Sequence, residues 1–472
     1  MQPAFVFFLV DAGQHLARPL YQKDNHQISP TPSTMGSITQ AYATAEQAYI
    51  SRNPSSQSIY KFATECLPGG NTRTVLYYAP FPLSITHAHG ARLHDADGHA
   101  YLDLLGEYTA GLYGHSEPLI TAAIKSAVDR GLSFGSQHED EVRLAEAVKA
   151  RFPAIDLLRF TNSGTEATLM ALSAAKVFTG REKVLVFSGG YHGGAFSFKG
   201  GESSPVNAPH EYLIARYNSL ESVRELVERG ENREDLAAII VEPMIGSGGG
   251  IPGDHGFLEG LRDIANERGA VLIYDEVMTS RLYGGSGVQS QMAEKYRPDL
   301  TTLGKWIGGG MSFGAFGGRK EIMELFDPRK KGFLAHAGTF NNNVLTMAAG
   351  RVGMEKVFTP ERAQQLHERG EKLRKDLQAV SEGSLMKWTG LGSILNVTFT
   401  STPVEAIKSP EDFGKPLTEL GDLLHLYLLE RGFYIARRGF IALSLALTDD
   451  DLAKFVDAVR DFLNQHEHLV AS

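Results

Sequence analysis

The stretch Val271-Leu272-Ile273-Tyr274, closed by Asp275, sets the strongest limit on the fold, because four consecutive apolar residues leave a strand no polar face. Such a strand belongs inside a parallel sheet covered by helices, not on a sheet with one face in water. From about residue 106 to 355, strand-like and helix-like segments alternate, the mark of an α/β domain on a mostly parallel sheet. Open sheets of that kind bind ligands beyond the carboxyl ends of their strands, where Asp275 falls. The plainer role for that carboxylate is a helix N-cap, since strand–Asp–helix is a common junction.

Three further pieces bear on the same site. Lys305 follows Leu300-Thr301-Thr302-Leu303-Gly304 and precedes Trp306-Ile307-Gly308-Gly309-Gly310. An amine in that setting suits a dry cleft, where desolvation lowers its pKa and makes it a nucleophile toward a carbonyl. An ordinary lysine at a strand end is the alternative. Phe160-Thr161-Asn162-Ser163-Gly164-Thr165-Glu166 leads into an alanine-rich helix that ends before Gly180. Free backbone N–H groups at that helix start, with the hydroxyls of Ser163 and Thr165, make a phosphate site, although many such turns only cap a helix. In Ser188-Gly189-Gly190-Tyr191-His192-Gly193-Gly194, glycines on both sides of Tyr191 let a planar group approach it; alone, the stretch reads equally as a flexible loop. A pyridine ring gives Asp275 a stronger reason than a cap, since a carboxylate beside the ring nitrogen keeps it protonated and turns the ring into an electron sink.

In chain order these pieces are a phosphate cradle, a stacking ring, a partner for a pyridine nitrogen and a Schiff-base lysine. The set resembles the class III aminotransferases, pyridoxal 5'-phosphate enzymes of fold type I. The likeness runs from about Gly69 to the C-terminal region and includes the segment Leu93 to Asp103, Gly114-His115-Ser116-Glu117-Pro118, Val241-Glu242-Pro243-Met244 and Gly338-Thr339-Phe340. It implies a large domain on a mostly parallel seven-stranded sheet, with a smaller α+β domain. It also implies that Lys305 holds the cofactor through an imine, that Asp275 pairs with the pyridinium nitrogen, and that Val277 packs under the ring. Tyr191 would stack above it, and Ser163, Gly164 and Thr165 would hold the phosphate. Glu242 and Met278 lie in the matching motifs and join the cofactor-binding set. Thr339 matches a residue that reaches the phosphate of the neighbouring subunit, which implies a homodimer with its active site at the interface.

The chain departs from the general family pattern after Met278-Thr279, where Ser280-Arg281-Leu282 replaces a Gly-Phe-Arg-like turn. That variant, with the stretch Gly69 to Pro82, looks closest to the β-amino acid aminotransferases, those acting on β-phenylalanine in particular. A β-amino acid carries its carboxylate one carbon farther from the reacting centre than an α-amino acid does. In the resembling enzymes an arginine at the position of Arg73 holds that displaced carboxylate by a two-pronged contact. Arg438, in Ala436-Arg437-Arg438-Gly439-Phe440, matches a second arginine near the entrance, which moves aside for a bulky side chain and returns for a dicarboxylate. The alternative for Arg437 and Arg438 is a solvated pair in a turn between strands. The expected reaction is a ping-pong transfer of the amino group from a β-amino acid to a keto acid, 2-oxoglutarate or pyruvate. A glutamate-1-semialdehyde 2,1-aminomutase-like enzyme or an ω-amine transaminase on the same fold is the alternative. Intact Lys305, Asp275 and phosphate turn weigh against a non-catalytic protein.

Other signals carry less. His87, His89, His94 and His99 crowd one region without three or four converging ligands. Asp95-Ala96-Asp97-Gly98 lacks the third acidic position and terminal glutamate of a calcium loop, and reads as a tight hairpin. Tyr108 and Tyr113 read as core packing before pocket lining. The glycine-rich runs near 246–250 and 308–318 lack the ordered dinucleotide fingerprint. A formal charge of −9 offers no basic field for nucleic acid. The single cysteine, Cys66, excludes an internal disulfide and suits a reducing, cytoplasmic setting. No stretch approaches the roughly 18–20 apolar residues that span a membrane. Residues 1–35 read as a disordered tail, with Met35 a possible start and an organelle address an open alternative, and Ala41 as the onset of the first helix. Residues 36–105 are expected to pack on the small domain, 106–355 to form the large cofactor-binding domain, and 356–472 the small domain.

Overall fold

The computed structural model describes residues 32–230 and 232–471. The tail expected over residues 1–35 therefore lies almost wholly outside the described residues. Helix α1 spans Pro32–Arg52, so it begins ahead of Ala41, and Ile38 on it is buried. Helix α2 (Pro54–Cys66) follows at once, with proline at its first turn, where the missing N–H costs nothing. Strands β1 (Ile85–His89), β2 (Arg92–Asp95) and β3 (Ala100–Asp103) form an antiparallel meander. Gly98 takes a left-handed φ of 88° in the β2–β3 turn, while Asp97 accepts hydrogen bonds from the Ser55 and Ser56 amides and so caps α2. That is the tight hairpin expected, doing the work of a helix cap.

The seven-stranded sheet follows in chain order as β4 (Leu157–Thr161), β5 (Lys183–Phe187), β6 (Glu211–Ala215), β7 (Leu236–Val241), the short pair β8 (Met244–Ile245) and β9 (Ile251–Pro252) lying apart, then β10 (Val271–Asp275), β11 (Leu300–Gly304) and β12 (Gly314–Gly318). Its spatial order is β4-β12-β11-β10-β7-β5-β6. Only β12 runs against the rest, antiparallel to both β11 and β4. Every residue of β5, β7, β10, β11 and β12 is buried, as strands without a polar face require. The strands β10 and β11 run parallel with Asp275 opposite Thr302, so their carboxyl ends reach the same edge.

The C-terminal part holds the antiparallel strands β13 (Met386–Leu391) and β14 (Ile394–Phe399), then β15 (Phe433–Tyr434) and β16 (Phe440–Ala442), with β16 completing a three-stranded sheet. Strand β15 instead joins the N-terminal meander, pairing parallel with β3. Segments far apart in sequence thus share one sheet. Between β15 and β16 lies the turn that carries Arg437 and Arg438. The final long helix, Asp449–Gln465, starts with a capping box between Thr448 and Asp451.

Candidate active site

Strand β11 delivers Lys305 with a left-handed backbone, φ 57°, a conformation costing a non-glycine residue roughly 1–2 kcal/mol. Packing on its neighbours holds it there. Trp306 is fully buried and its indole N–H donates to Ser280 Oγ at 2.9 Å. A Cβ on Gly304 would come within 3.2 Å of Val277 Cγ1, a tight contact, so glycine lets the strand end lie close to the Asp275 segment. Burial pushes the Lys305 amine down to about 8, with Asp275 and Glu242 partly opposing.

Asp275 ends β10 and is 5% exposed. Its Oδ2 meets His192 Nδ1 at 2.8 Å, while Oδ1 accepts from the Val277 amide at 3.0 Å and the Thr302 hydroxyl at 3.2 Å. Burial lowers the pKa of His192, but the Asp275 hydrogen bond and charge outweigh it and the net shift is upward. Glu242, just beyond β7, accepts from the Tyr191 amide at 2.9 Å and from the Gly246 amide at 3.0 Å, so its two oxygens tie two loops together. Burial, helped by the charge of Asp275, lifts it to about 7.

The phosphate turn stands where β4 meets helix Gly164–Thr179. Ser163 is the N-cap and its hydroxyl accepts from the Glu166 amide at 3.1 Å. The Gly164 and Thr165 amides, first in the helix, have no intrahelical acceptor and none elsewhere among the described residues. Thr165 Oγ1 accepts from the Gly194 amide at 3.1 Å, and a Cβ on Gly193 would clash with that threonine. A Cβ on Gly164 would lie 2.9 Å from Val277 Cγ2. The turn, Val277 and the Tyr191 loop therefore interlock, and Tyr191 stays 43% exposed above them. Met278 packs so closely on Gly246 that an alanine there would press on its sulfur. A helix start with free amides, a buried carboxylate at strand-end height and a depressed lysine amine fit pyridoxal phosphate.

Toward the cleft mouth, Arg73 Nη1 lies 2.5 Å from Glu107 Oε1, both side chains about half exposed. Arg438 lies over the rings of Phe440 and Tyr108, at 5.0 and 5.4 Å, and donates to the Ser247 carbonyl at 3.3 Å. It is open to solvent on one side, yet enough protein surrounds it to lower its pKa by burial. Arg437 points elsewhere and binds both oxygens of Asp422. Arg437 is thus tied into an ion pair, whereas Arg438 is exposed in the turn while resting on two aromatic rings. Tyr108 packs against the core, as expected, stacking on Phe440 at 5.6 Å beneath Arg438 and within the field of Arg73. Tyr113 is core, buried edge-on to Trp306. Thr339 is exposed; two residues on, Asn341 accepts from the Asn162 side chain at 2.9 Å, beside the phosphate turn.

His192 and Glu107 are the residues that sequence reasoning missed. His192 adjoins Tyr191, but its partner sits on another strand; for Glu107 no local signal exists. The histidines at 87 and 94 stack face to face at 4.4 Å, and among the described residues no group of three or more ligand-type side chains suits a metal.

The class III aminotransferase family model matches residues 76–463. A β-phenylalanine transaminase from Variovorax paradoxus is 49% identical over 439 residues, 93% of this chain and 99% of the relative. The crystal structure of a β-phenylalanine aminotransferase from the same organism superposes with a TM-score of 0.88 at 49% identity, covering 92% of this chain and 99% of that one. A transaminase structure described with PLP bound gives a TM-score of 0.77 at 31% identity, over 88% and 98% of the two chains. Matched over most of its length in sequence and in fold, the chain belongs to the class III aminotransferases, enzymes that work with pyridoxal phosphate.

Proposed function

We propose that this aminotransferase takes the amino group from a β-amino acid with an aromatic side chain, such as β-phenylalanine, and passes it to a keto acid, 2-oxoglutarate or pyruvate. The observation that carries this reading is Arg73, a guanidinium at the cleft mouth whose charge reaches Tyr191 and Tyr108 and whose ionic partner is within reach of exchange. The named transaminase relatives support it.

When bound, pyridoxal phosphate supplies an electron sink for charge developing on the amine-bearing carbon. The chain's own residues do the rest. The amides of Gly164 and Thr165, with the hydroxyls of Ser163 and Thr165, would hold the phosphate at a helix N-terminus. Asp275, braced by His192, Thr302 and the Val277 amide, would present its carboxylate to the ring nitrogen. Tyr191 and Val277 would confine the ring; Glu242 ties the loops of Tyr191 and Gly246 together and Met278 packs on Gly246. Lys305, its pKa lowered to about 8 by burial, would take the proton from the amine-bearing substrate carbon at its Nζ and hold it for redelivery. Arg73 grips the donor carboxylate, and Arg438 the second carboxylate of a dicarboxylic acceptor.

The working unit is a homodimer in which Thr339 reaches the partner's phosphate; the exposed Phe134, Phe333 and Phe340 support a covered face. Residues 106–355 form the cofactor domain and 356–472, with 36–105 packed on them, the small one. A free, exposed Cys66 supports a reducing, cytoplasmic setting; no helix among the described residues is long and apolar enough to cross a membrane. The test is a panel of aromatic and aliphatic β-amino acids and carboxylate-free amines, each with 2-oxoglutarate and pyruvate, run on the native enzyme and on Arg73→Ala. Selective loss of β-amino acid turnover in the variant supports the reading; absence of β-amino acid turnover in the native enzyme overturns it.

A further inference from the structure

Glu107 stands in an uncommon piece of backbone. Gly106, Glu107, Tyr108 and Thr109 follow one another with φ of 53°, 45°, 53° and 81°, a left-handed turn in which only glycine is at ease. Three non-glycine residues there store several kcal/mol of strain, by about 1–2 kcal/mol each. Surrounding structure enforces it. Asp103 Oδ1 accepts the Leu105 and Gly106 amides, both at 3.0 Å, while Asp103 Oδ2 meets His115 Nε2 at 2.9 Å. A Cβ on Gly106 would fall 2.3 Å from the Ala442 carbonyl oxygen, so the turn is pressed against β16. Tyr108 stacks on Phe440, and Thr109 is fully buried. The strained turn places one carboxylate on Arg73, and its charge is felt at Lys305.

We infer that Glu107 is a specificity-determining residue: a built-in carboxylate that occupies Arg73 in the resting enzyme and must be displaced by the substrate carboxylate. The inference rests on the reading of Arg73 as the carboxylate anchor. Its chemistry is exchange of one charge-assisted pair for another, with no covalent step. An incoming β-amino acid competes with an acceptor already held at 2.5 Å, and the freed Glu107 is left beside a second anion. A carboxylate-free amine needs no such exchange, and Glu107 keeps Arg73 neutralised while it binds. The pair therefore narrows the advantage of carboxylated donors over plain amines.

The experiment measures binding of 3-phenylpropanoate, a carboxylate without the reacting amine, to the holoenzyme, by calorimetry and by inhibition. Four proteins are compared: native, Glu107→Gln, Arg73→Ala and the double variant, with thermal midpoints recorded for each. Glu107→Gln is expected to tighten binding about 2- to 5-fold, the range of a partly exposed ion pair. In turnover it lowers KM for the β-amino acid more than for 1-phenylethylamine, by about 2-fold or more. Arg73→Ala weakens 3-phenylpropanoate at least 10-fold, and in that background removing the glutamate has no further effect. Unchanged or weaker binding in Glu107→Gln, or tightening that persists without Arg73, overturns the latch while leaving the anchor intact. Native-like binding in Arg73→Ala overturns the anchor and the latch with it. Glu107→Gly, which removes both carboxylate and strain, separates the two: it must tighten binding like Glu107→Gln, and failure to do so assigns the effect to backbone disturbance and ends the proposal.

Discussion

Freed of cofactor, the Lys305 amine loses its proton near pH 8, well below an ordinary lysine, because burial favours the neutral form. The rate at which apoprotein takes up pyridoxal phosphate should therefore rise with pH and level off just above 8, and stopped-flow absorbance reads that plateau. A rate still climbing toward pH 10 would mean the amine is solvated. Glu242 titrates the other way. Lifted to about 7 by burial, it binds a proton more tightly folded than unfolded, so its contribution to stability is full below about pH 4.5 and fades as pH rises through about 7. The apoprotein melting temperature should fall across that window, and Glu242→Gln should flatten the slope whatever it does to the absolute midpoint. Asp275→Asn keeps the shape but removes the charge opposite His192; kcat should drop on the order of 10³-fold, about 4 kcal/mol of barrier, with the spectrum of bound cofactor shifted.

At the scale of elements, the antiparallel strand β12 is where small residues matter most. A Cβ on Gly314 would sit 2.1 Å from the Ser163 carbonyl oxygen, within the phosphate turn itself. Gly314→Ala should cost about 2–4 kcal/mol, seen by denaturant melting, and weaken cofactor binding more than a distant substitution of equal cost. How much of this was legible beforehand follows the same division between local and distant. The buried strand ending at Asp275, the turn at Ser163 to Thr165 and the helix stopping before Gly180 were readable, since burial periodicity and capping are written in adjacent residues. The onset of the first helix was placed too late because its opening sequence is largely polar and the burial of Ile38 is tertiary. That Tyr108, packed on the core, would also lie beneath Arg438 was not readable, because an aromatic beside a turn says nothing of which charge it will meet. Glu107 had no signal at all: four successive left-handed residues with one leading glycine depend on Asp103, His115 and Ala442.

For the molecule as a whole, the proposed dimer makes a sharp expectation. The native enzyme should sediment at twice its chain mass of 51.5 kDa, and dilution that separates the subunits should release cofactor. Thr339→Ala should weaken pyridoxal phosphate binding without changing the absorbance maximum of what remains bound, and a variant that binds as tightly as native would remove Thr339 from the site. The pairing of β15 with β3 has a consequence for biosynthesis. Lys305, Asp275 and the phosphate turn all come from the middle of the chain, and their sheet can close while translation continues. The bed under Tyr108 needs Phe440, and the meander that carries Asp103 gains its last strand only at Phe433. On the ribosome, the part that handles the vitamin can be ready long before the part that chooses what to feed it.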